Sequence, residues 1–109
     1  MDFISNFFSS KLSDHYQLYF NKLPYDAQQI LKKKVKKDQE KLLDTFSQQS
    51  EYRIELIVSI LSQQSIEVLD HLFTKETRLL KALMKIETNY MEEYAKKPDD
   101  ITNMIMNKK

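Results

Sequence analysis

Ser47-Gln48-Gln49-Ser50 reads SQQS, and Ser62-Gln63-Gln64-Ser65 repeats it letter for letter. These are two turns, an internal repeat, or one turn and one stretch of ordinary helix, and the choice decides the architecture. Little else between Pro24 and Pro98 resembles punctuation, because the 109 residues contain no Gly and only two Pro. Tight turns between strands draw on Gly or Asn-Gly to reach positive φ. A Gly-free chain rich in Lys, Gln, Glu and Leu therefore predicts an all-α fold.

Hydrophobic spacing separates the two copies. On a helical wheel at ~100° per residue, Leu31, Val35, Leu42 and Phe46 form one apolar stripe. Ile54, Ile57, Val58, Leu61, Val68, Leu69 and Leu72 form a second, centred roughly 110° away if the helix ran on unbroken. One straight helix cannot face a single core with both, so the chain breaks between Phe46 and Ile54. The first SQQS lies in that gap, with Ser47 or Ser50 placed to cap the next helix and Glu51 in its first turn. The second stripe runs across the second SQQS, with Ser65 inside the apolar face and Ser62, Gln63 and Gln64 off it. The first copy thus reads as a turn and the second as mid-helix, and the repetition reads as coincidence.

The rest of the chain is divided around that break. Ile4, Phe8, Leu12, Tyr16, Tyr19 and Leu23 make the core face of a first helix over about 2–23, and Pro24 suits the first turn of a second over about 25–47. A third helix covers about 50–73 and a fourth about 75–96; the fourth carries Leu79, Leu80, Leu83, Ile86, Tyr90 and Tyr94 and stops before Pro98. Between them, TKET (Thr74–Thr77) puts Lys75 and Glu76 where apolar residues belong, with Thr74 as an N-cap. A break there gives a small antiparallel bundle of three to four helices, one domain over about 1–97. The alternative follows from the apolar phase, which survives TKET. An unbroken helix from Ser50 to Lys96 would be ~70 Å long and would have to form a hairpin with a second copy, a homodimer. Residues 98–109 read as a C-terminal tail or short helix, with Asp99 or Asp100 as its cap and Ile101, Met104 and Ile105 as its apolar residues.

Catalytic chemistry is hard to assemble from these residues. Without Cys there are no disulfides, thiolate metal sites or cysteine nucleophiles. The start, MDFISNFFSS, has an acid where a secretory signal carries Lys or Arg, and no apolar run nears the ~20 residues that span a bilayer. This predicts a soluble, cytoplasmic protein. His15 and His71 are the only imidazoles, and no Gly-rich phosphate loop accompanies them. His15 reads as a core-edge side chain. Glu67 and His71 share a helical face at a spacing used for paired metal ligands, but two ligands are too few. The chain has no Glu-x-x-His, the pair that di-iron bundles require. The expectation is a non-enzymatic protein with no catalytic residue, metal, cofactor or small-molecule substrate.

Two kinds of surface remain. Phe3, Phe7, Phe8, Tyr16, Tyr19 and Phe20 crowd the first twenty residues and cover more of the wheel than one bundle face needs. With the tail, this defines a candidate protein-binding set of Phe3, Phe7, Phe8, Phe20, Ile101, Met104 and Ile105. It fits a small accessory or regulatory protein acting through protein–protein interaction, with another protein or with its own copy as a homodimer, a character shared by many bacterial and phage proteins. The alternative is a nucleic-acid binder using Lys32, Lys33, Lys34, Lys36 and Lys37 of KKKVKK, which lie opposite the stripe of Leu31, Val35 and Leu42. A net charge of +1 gives no overall pull, Asp38, Glu40 and Asp44 dilute the cluster, and it holds no Arg to read base edges. Backbone contacts without sequence preference are the expected mode.

Overall fold

A chain without Gly has to turn from one helix into the next without the left-handed residue that commonly closes a helix. The computed structural model, which describes residues 11–106, solves this in one way at four junctions. The residue closing each helix stays right-handed (Asn21, Lys33, Gln48 and Gln63). Shortly afterwards an extended residue, with ψ between 153 and 162°, opens the next helix (Pro24, Val35, Ser50 and Ser65). All regular elements among the described residues are helical: α1 Asp14–Phe20, α2 Tyr25–Lys32, α3 Lys36–Ser47, α4 Glu51–Ser62, α5 Ile66–Asp70, a π-helical turn His71–Lys75, α6 Thr77–Lys85, α7 Thr88–Lys96 and α8 Asp99–Met106. The fold class is all-α as the composition predicts, but the helices are shorter and more numerous than the three to four expected.

Both SQQS copies are turns, which corrects the reading of the second as mid-helix. Ser47 Oγ donates to the Asp44 carbonyl and Ser62 Oγ to the Ser59 carbonyl, each at 2.9 Å. Gln49 Nε2 donates to the Thr45 carbonyl and Gln64 Nε2 to the Ile60 carbonyl, at 3.0 and 3.1 Å. Ser50 Oγ then accepts from the Arg53 amide and Ser65 Oγ from the Val68 amide. The first three residues close the outgoing helix and the last opens the next, so the tetrapeptide does the work usually shared between a Gly and an N-cap. The repetition has a structural meaning after all.

The spacing of the breaks explains why the apolar phase hid them. Pro24 opens α2 eleven residues after Ser13 opens α1, and Val35 opens α3 eleven after that; Ser50 and Ser65 follow at intervals of fifteen, then Glu76 and Glu87 at intervals of eleven. Eleven residues is about three helical turns, so helices that start eleven apart resume near one azimuth, whereas fifteen is about four turns and offsets the start by roughly 60°. The ~70 Å helix from Ser50 to Lys96 is therefore overturned. The segment is interrupted at 63–65, at the π turn, and at Ile86–Glu87, where both residues are extended.

Packing follows a simple order. The α-helices pair as α1 with α3, α2 with α5, α3 with α6, α4 with α7 and, less extensively, α5 with α8. From α2 onward each helix rests on the third one after it, so the chain winds three helices per turn. Helices α5, α6 and α7 form a second layer on α2, α3 and α4, and α8 starts a third. The result is a bundle of short stacked helices, 49 × 30 × 20 Å, with the stacking logic of helical repeats. None of these helices is long enough to be stable alone in water; their order depends on the buried faces between layers. Leu31, Leu43 and Phe46 from the first layer and Leu69, Leu72, Phe73, Leu80 and Met91 from the second are almost wholly buried.

Polar side chains tie the helices together. Tyr16 Oη donates to Asp44 Oδ1 at 3.3 Å, between α1 and α3. The Tyr52 hydroxyl donates to Glu92 Oε2, between α4 and α7. That bond to a carboxylate raises the Tyr52 pKa above its ordinary value, with desolvation adding to it; for Tyr16 desolvation comes first and the Asp44 charge second. Arg53 donates from Nε to Gln49 Oε1, from Nη1 to Thr88 Oγ1 and from Nη2 to the Met84 carbonyl, all at 2.9–3.0 Å.

The breaks also move side chains that the continuous wheel misplaced. Val35, expected in the first stripe, is the extended residue before α3 and is 65% exposed. Ser65 is exposed as a cap, while Gln64 takes the buried place at 7% exposure. Beyond Ile86 the register advances by one residue, so Met91 is buried and Tyr90, expected in the core, is exposed. Thr74 sits in the π turn and does not cap α6; that position belongs to Glu76.

Candidate anion-binding groove

The lysine cluster is divided by a helix junction. Lys32 ends α2, Lys33 and Lys34 form the turn, and Lys36 and Lys37 open α3. Val35 has no side-chain oxygen to cap α3, and Lys36 and Lys37 sit at the positive end of its dipole, where cations are disfavoured. What holds this junction is Gln39, which is buried and donates from Nε2 to the Lys34 carbonyl at 2.8 Å. The α1–α2 junction uses the same device: Pro24 cannot cap, and Gln28 Nε2 donates to the Leu23 carbonyl at 2.9 Å. The bond from Gln39 fixes the backbone from which the Lys34 side chain projects.

Across from it, the π turn supplies the second wall. Glu76 N–H reaches back five residues to the His71 carbonyl at 2.8 Å. The wider turn lets the chain re-enter the helix at Thr77 after Lys75, and π turns of this kind concentrate at functional sites. Because α3 packs on α6, a groove of about 350 Å³ forms between them. Lys34, Asp38 and Lys41 line one side over buried Leu42, and Thr74, Thr77, Arg78 and Lys81 line the other. Asp38, Lys41 and Leu42 share one face of α3, and Thr77, Arg78 and Lys81 share one face of α6; Lys34 and Thr74 extend the walls from the turns that precede these helices. The lining carries four cations against one carboxylate, with two hydroxyls that can donate or accept. A concave site of one sign focuses its field on ligands of the opposite sign.

The residues named from sequence are distributed as follows. Lys34 lines the groove, while Lys32, Lys33, Lys36 and Lys37 are exposed beside it at the junction. The groove also contains the arginine that the cluster lacks. Of the candidate protein-binding set, Phe3, Phe7 and Phe8 lie outside the described residues. Phe20, Ile101 and Ile105 are buried at 6%, 0% and 4% exposure, so they belong to the core of the single chain and form no open patch. Ile101 and Ile105 are the anchors by which α8 docks on the stack, and Met104 alone of that helix's apolar trio faces outward. The sequence reading missed Lys41, Thr74, Thr77, Arg78 and Lys81. The one local signal was the polar face of TKETRLLK, which repeats at helical spacing but does not name its partner helix.

Other candidates do not converge. His15 is exposed, with its ring edge-on to Tyr16 and Tyr19 at 5.2 and 5.3 Å. Glu67 is exposed and His71 is half-buried in the π turn. Among the described residues no three His, Asp or Glu side chains gather to hold a metal, and no helix is long and apolar enough to cross a membrane. No protein-family model, no curated protein and no solved structure matches this chain.

Proposed function

We propose that the protein is a non-catalytic binding module whose ligand is the phosphate backbone of a nucleic acid, serving an accessory or regulatory role in the cytoplasm. The observation that carries this reading is the pairing of Lys34 with Lys41, Arg78 and Lys81 around one groove, with four more lysines beside it. Phosphate contacts position a nucleic acid without reading its sequence, and no element with base-reading side chains is needed for them. The test is a gel-shift and fluorescence-anisotropy titration of random 20-nucleotide single strands and duplexes at two or more salt concentrations. Single-strand binding should fall with salt with a log–log slope near −3 if about four phosphates are neutralised. The triple variant Lys41→Gln/Arg78→Gln/Lys81→Gln should reduce the slope by about 2 while keeping wild-type helicity. Absence of a shift at low salt would end the reading.

A second reading, capture of a protein partner, has its own support. Leu18 is 55% exposed at the edge of a cleft of about 330 Å³ between α1 and α4, lined also by Tyr19 and Ile54. Exposed apolar side chains beside a cleft suit a partner's apolar residues. For a homodimer, the mass in solution decides: a single-chain mass at high concentration excludes it. Leu18→Ser should weaken association with any protein partner by at least tenfold without loss of helix.

A further inference from the structure

The geometry points to a terminal phosphomonoester, the phosphorylated end of a nucleic-acid strand, as the group that occupies the groove between α3 and α6. This rests on the backbone reading above and deepens it. The reasons are charge, donors and extent. The groove sums to three positive charges, from Lys34, Lys41, Arg78 and Lys81 less Asp38. A phosphodiester in mid-strand is a monoanion, whereas a terminal phosphate carries about −1.5 to −2 at neutral pH and exposes three acceptor oxygens. A terminal phosphate together with the first diester after it brings close to −3, which matches the lining.

The donor set also suits a tetrahedral end group better than a passing strand. Cations stand on both walls, so an anion between them is approached from opposite sides. Arg78 offers a planar fork that can hold two oxygens at once, and Thr74 and Thr77 offer hydroxyls on the same wall. A diester has only two unesterified oxygens and would leave part of this set unused. At about 350 Å³ the space lies in the range of pockets for single small ligands and is far too small for the width of a duplex. Lys34 belongs both to the groove and to the Lys32–Lys37 junction, so a strand leaving the groove meets Lys32, Lys33, Lys36 and Lys37 as its next cations.

The test compares ten-nucleotide single strands of one sequence with a 5′-phosphate, with a 3′-phosphate and with hydroxyls at both ends, on the full chain. At least one phosphorylated strand should bind about tenfold more tightly than the hydroxyl strand, and millimolar inorganic phosphate should erase that advantage while leaving hydroxyl-strand binding in place. Arg78→Lys keeps the charge but loses the fork, and should reduce the advantage more than it reduces binding of the hydroxyl strand. Circular dichroism of Arg78→Lys checks that the fold is retained; the three wild-type titrations stand even if this variant fails to fold. Equal affinity for all three strands would overturn the end-group proposal while leaving the backbone reading intact. Failure of all three to bind at low salt would overturn both.

Discussion

The two SQQS turns share residues, hydrogen bonds and capping geometry, yet they hold different parts of the molecule. In the first, Gln48 donates to Asp44 within its own helix, and Gln49 reaches the distant chain only through Arg53, which bonds Thr88 and the Met84 carbonyl. In the second, the glutamines bind that chain directly. Gln63 Nε2 donates to the Ala95 carbonyl at 3.0 Å, Gln64 Nε2 to the Pro98 carbonyl at 3.2 Å, and Gln64 Oε1 accepts from Thr102 Oγ1 at 3.0 Å. The first copy thus secures the α6–α7 junction through an intermediary, and the second clamps α8 and its approach itself. Local sequence sets the turn; the layer it meets sets what depends on it.

The largest expected effect follows from that difference. Gln64→Ala removes bonds to the partly buried Pro98 carbonyl and Thr102 hydroxyl, where an unsatisfied group costs about 1–3 kcal/mol, and to the buried Ile60 carbonyl, which keeps its bond from the Gln63 amide. Gln49→Ala leaves the Thr45 carbonyl and Arg53 Nε, which are only partly buried. Urea unfolding should show a loss of about 2–3 kcal/mol for Gln64→Ala and about 1 kcal/mol for Gln49→Ala. Amide exchange in α8 should rise in the first variant and stay near wild type in the second. Equal losses would mean that Gln64 is not a clamp between layers.

The same contrast shows what could be read without coordinates. Helical class, the break at Ser47–Ser50 and the core residues Ile54, Ile57, Leu61, Val68, Leu69 and Leu72 were all legible, because apolar spacing reports burial directly. The second SQQS was not. A helix that restarts after fifteen residues, about four turns, shifts its phase by only roughly 60°, too little for the width of an apolar stripe to tell Gln63–Ser65 from continuous helix. The serines and glutamines were the better signal there, and the absence of Gly concealed it by suggesting an absence of turns. The groove was half legible. Lys34 was visible in KKKVKK, but Arg78 lies more than forty residues away, and only the pairing of α3 with α6 brings it across. A long-range juxtaposition of this kind leaves no trace in local spacing.

Equivalent capping gives a sharper test of the resemblance between the turns. Ser50→Ala and Ser65→Ala each remove the side-chain oxygen that accepts from the third amide of a helix, and each should cost about 1 kcal/mol. Their midpoints in urea should agree within error, in contrast to the glutamine pair. The double variant should lose the sum of the two, because the caps share no partner. A Ser65→Ala loss near zero would return the second copy to the status of continuous helix.

The smallest effect has the opposite sign and extends the comparison to the junction that lacks a serine. Val35 occupies at α3 the place that Ser50 holds at α4 and Ser65 at α5, with nearly the same backbone angles (φ −64°, ψ 155° at Val35 against −65°, 161° at Ser50). It is 65% exposed, so its side chain gains little from burial, and it leaves the first amides of α3 without a side-chain acceptor. Val35→Ser supplies that acceptor in a backbone already shaped for it and should stabilise the protein by about 0.5–1 kcal/mol. The Gln39 bond to the Lys34 carbonyl is made on the other side of the junction and should persist, so the two contributions add. A rise in the urea midpoint would place this junction in the same class as the SQQS turns. A fall would show that the valine methyls, and not a missing oxygen, hold the start of α3.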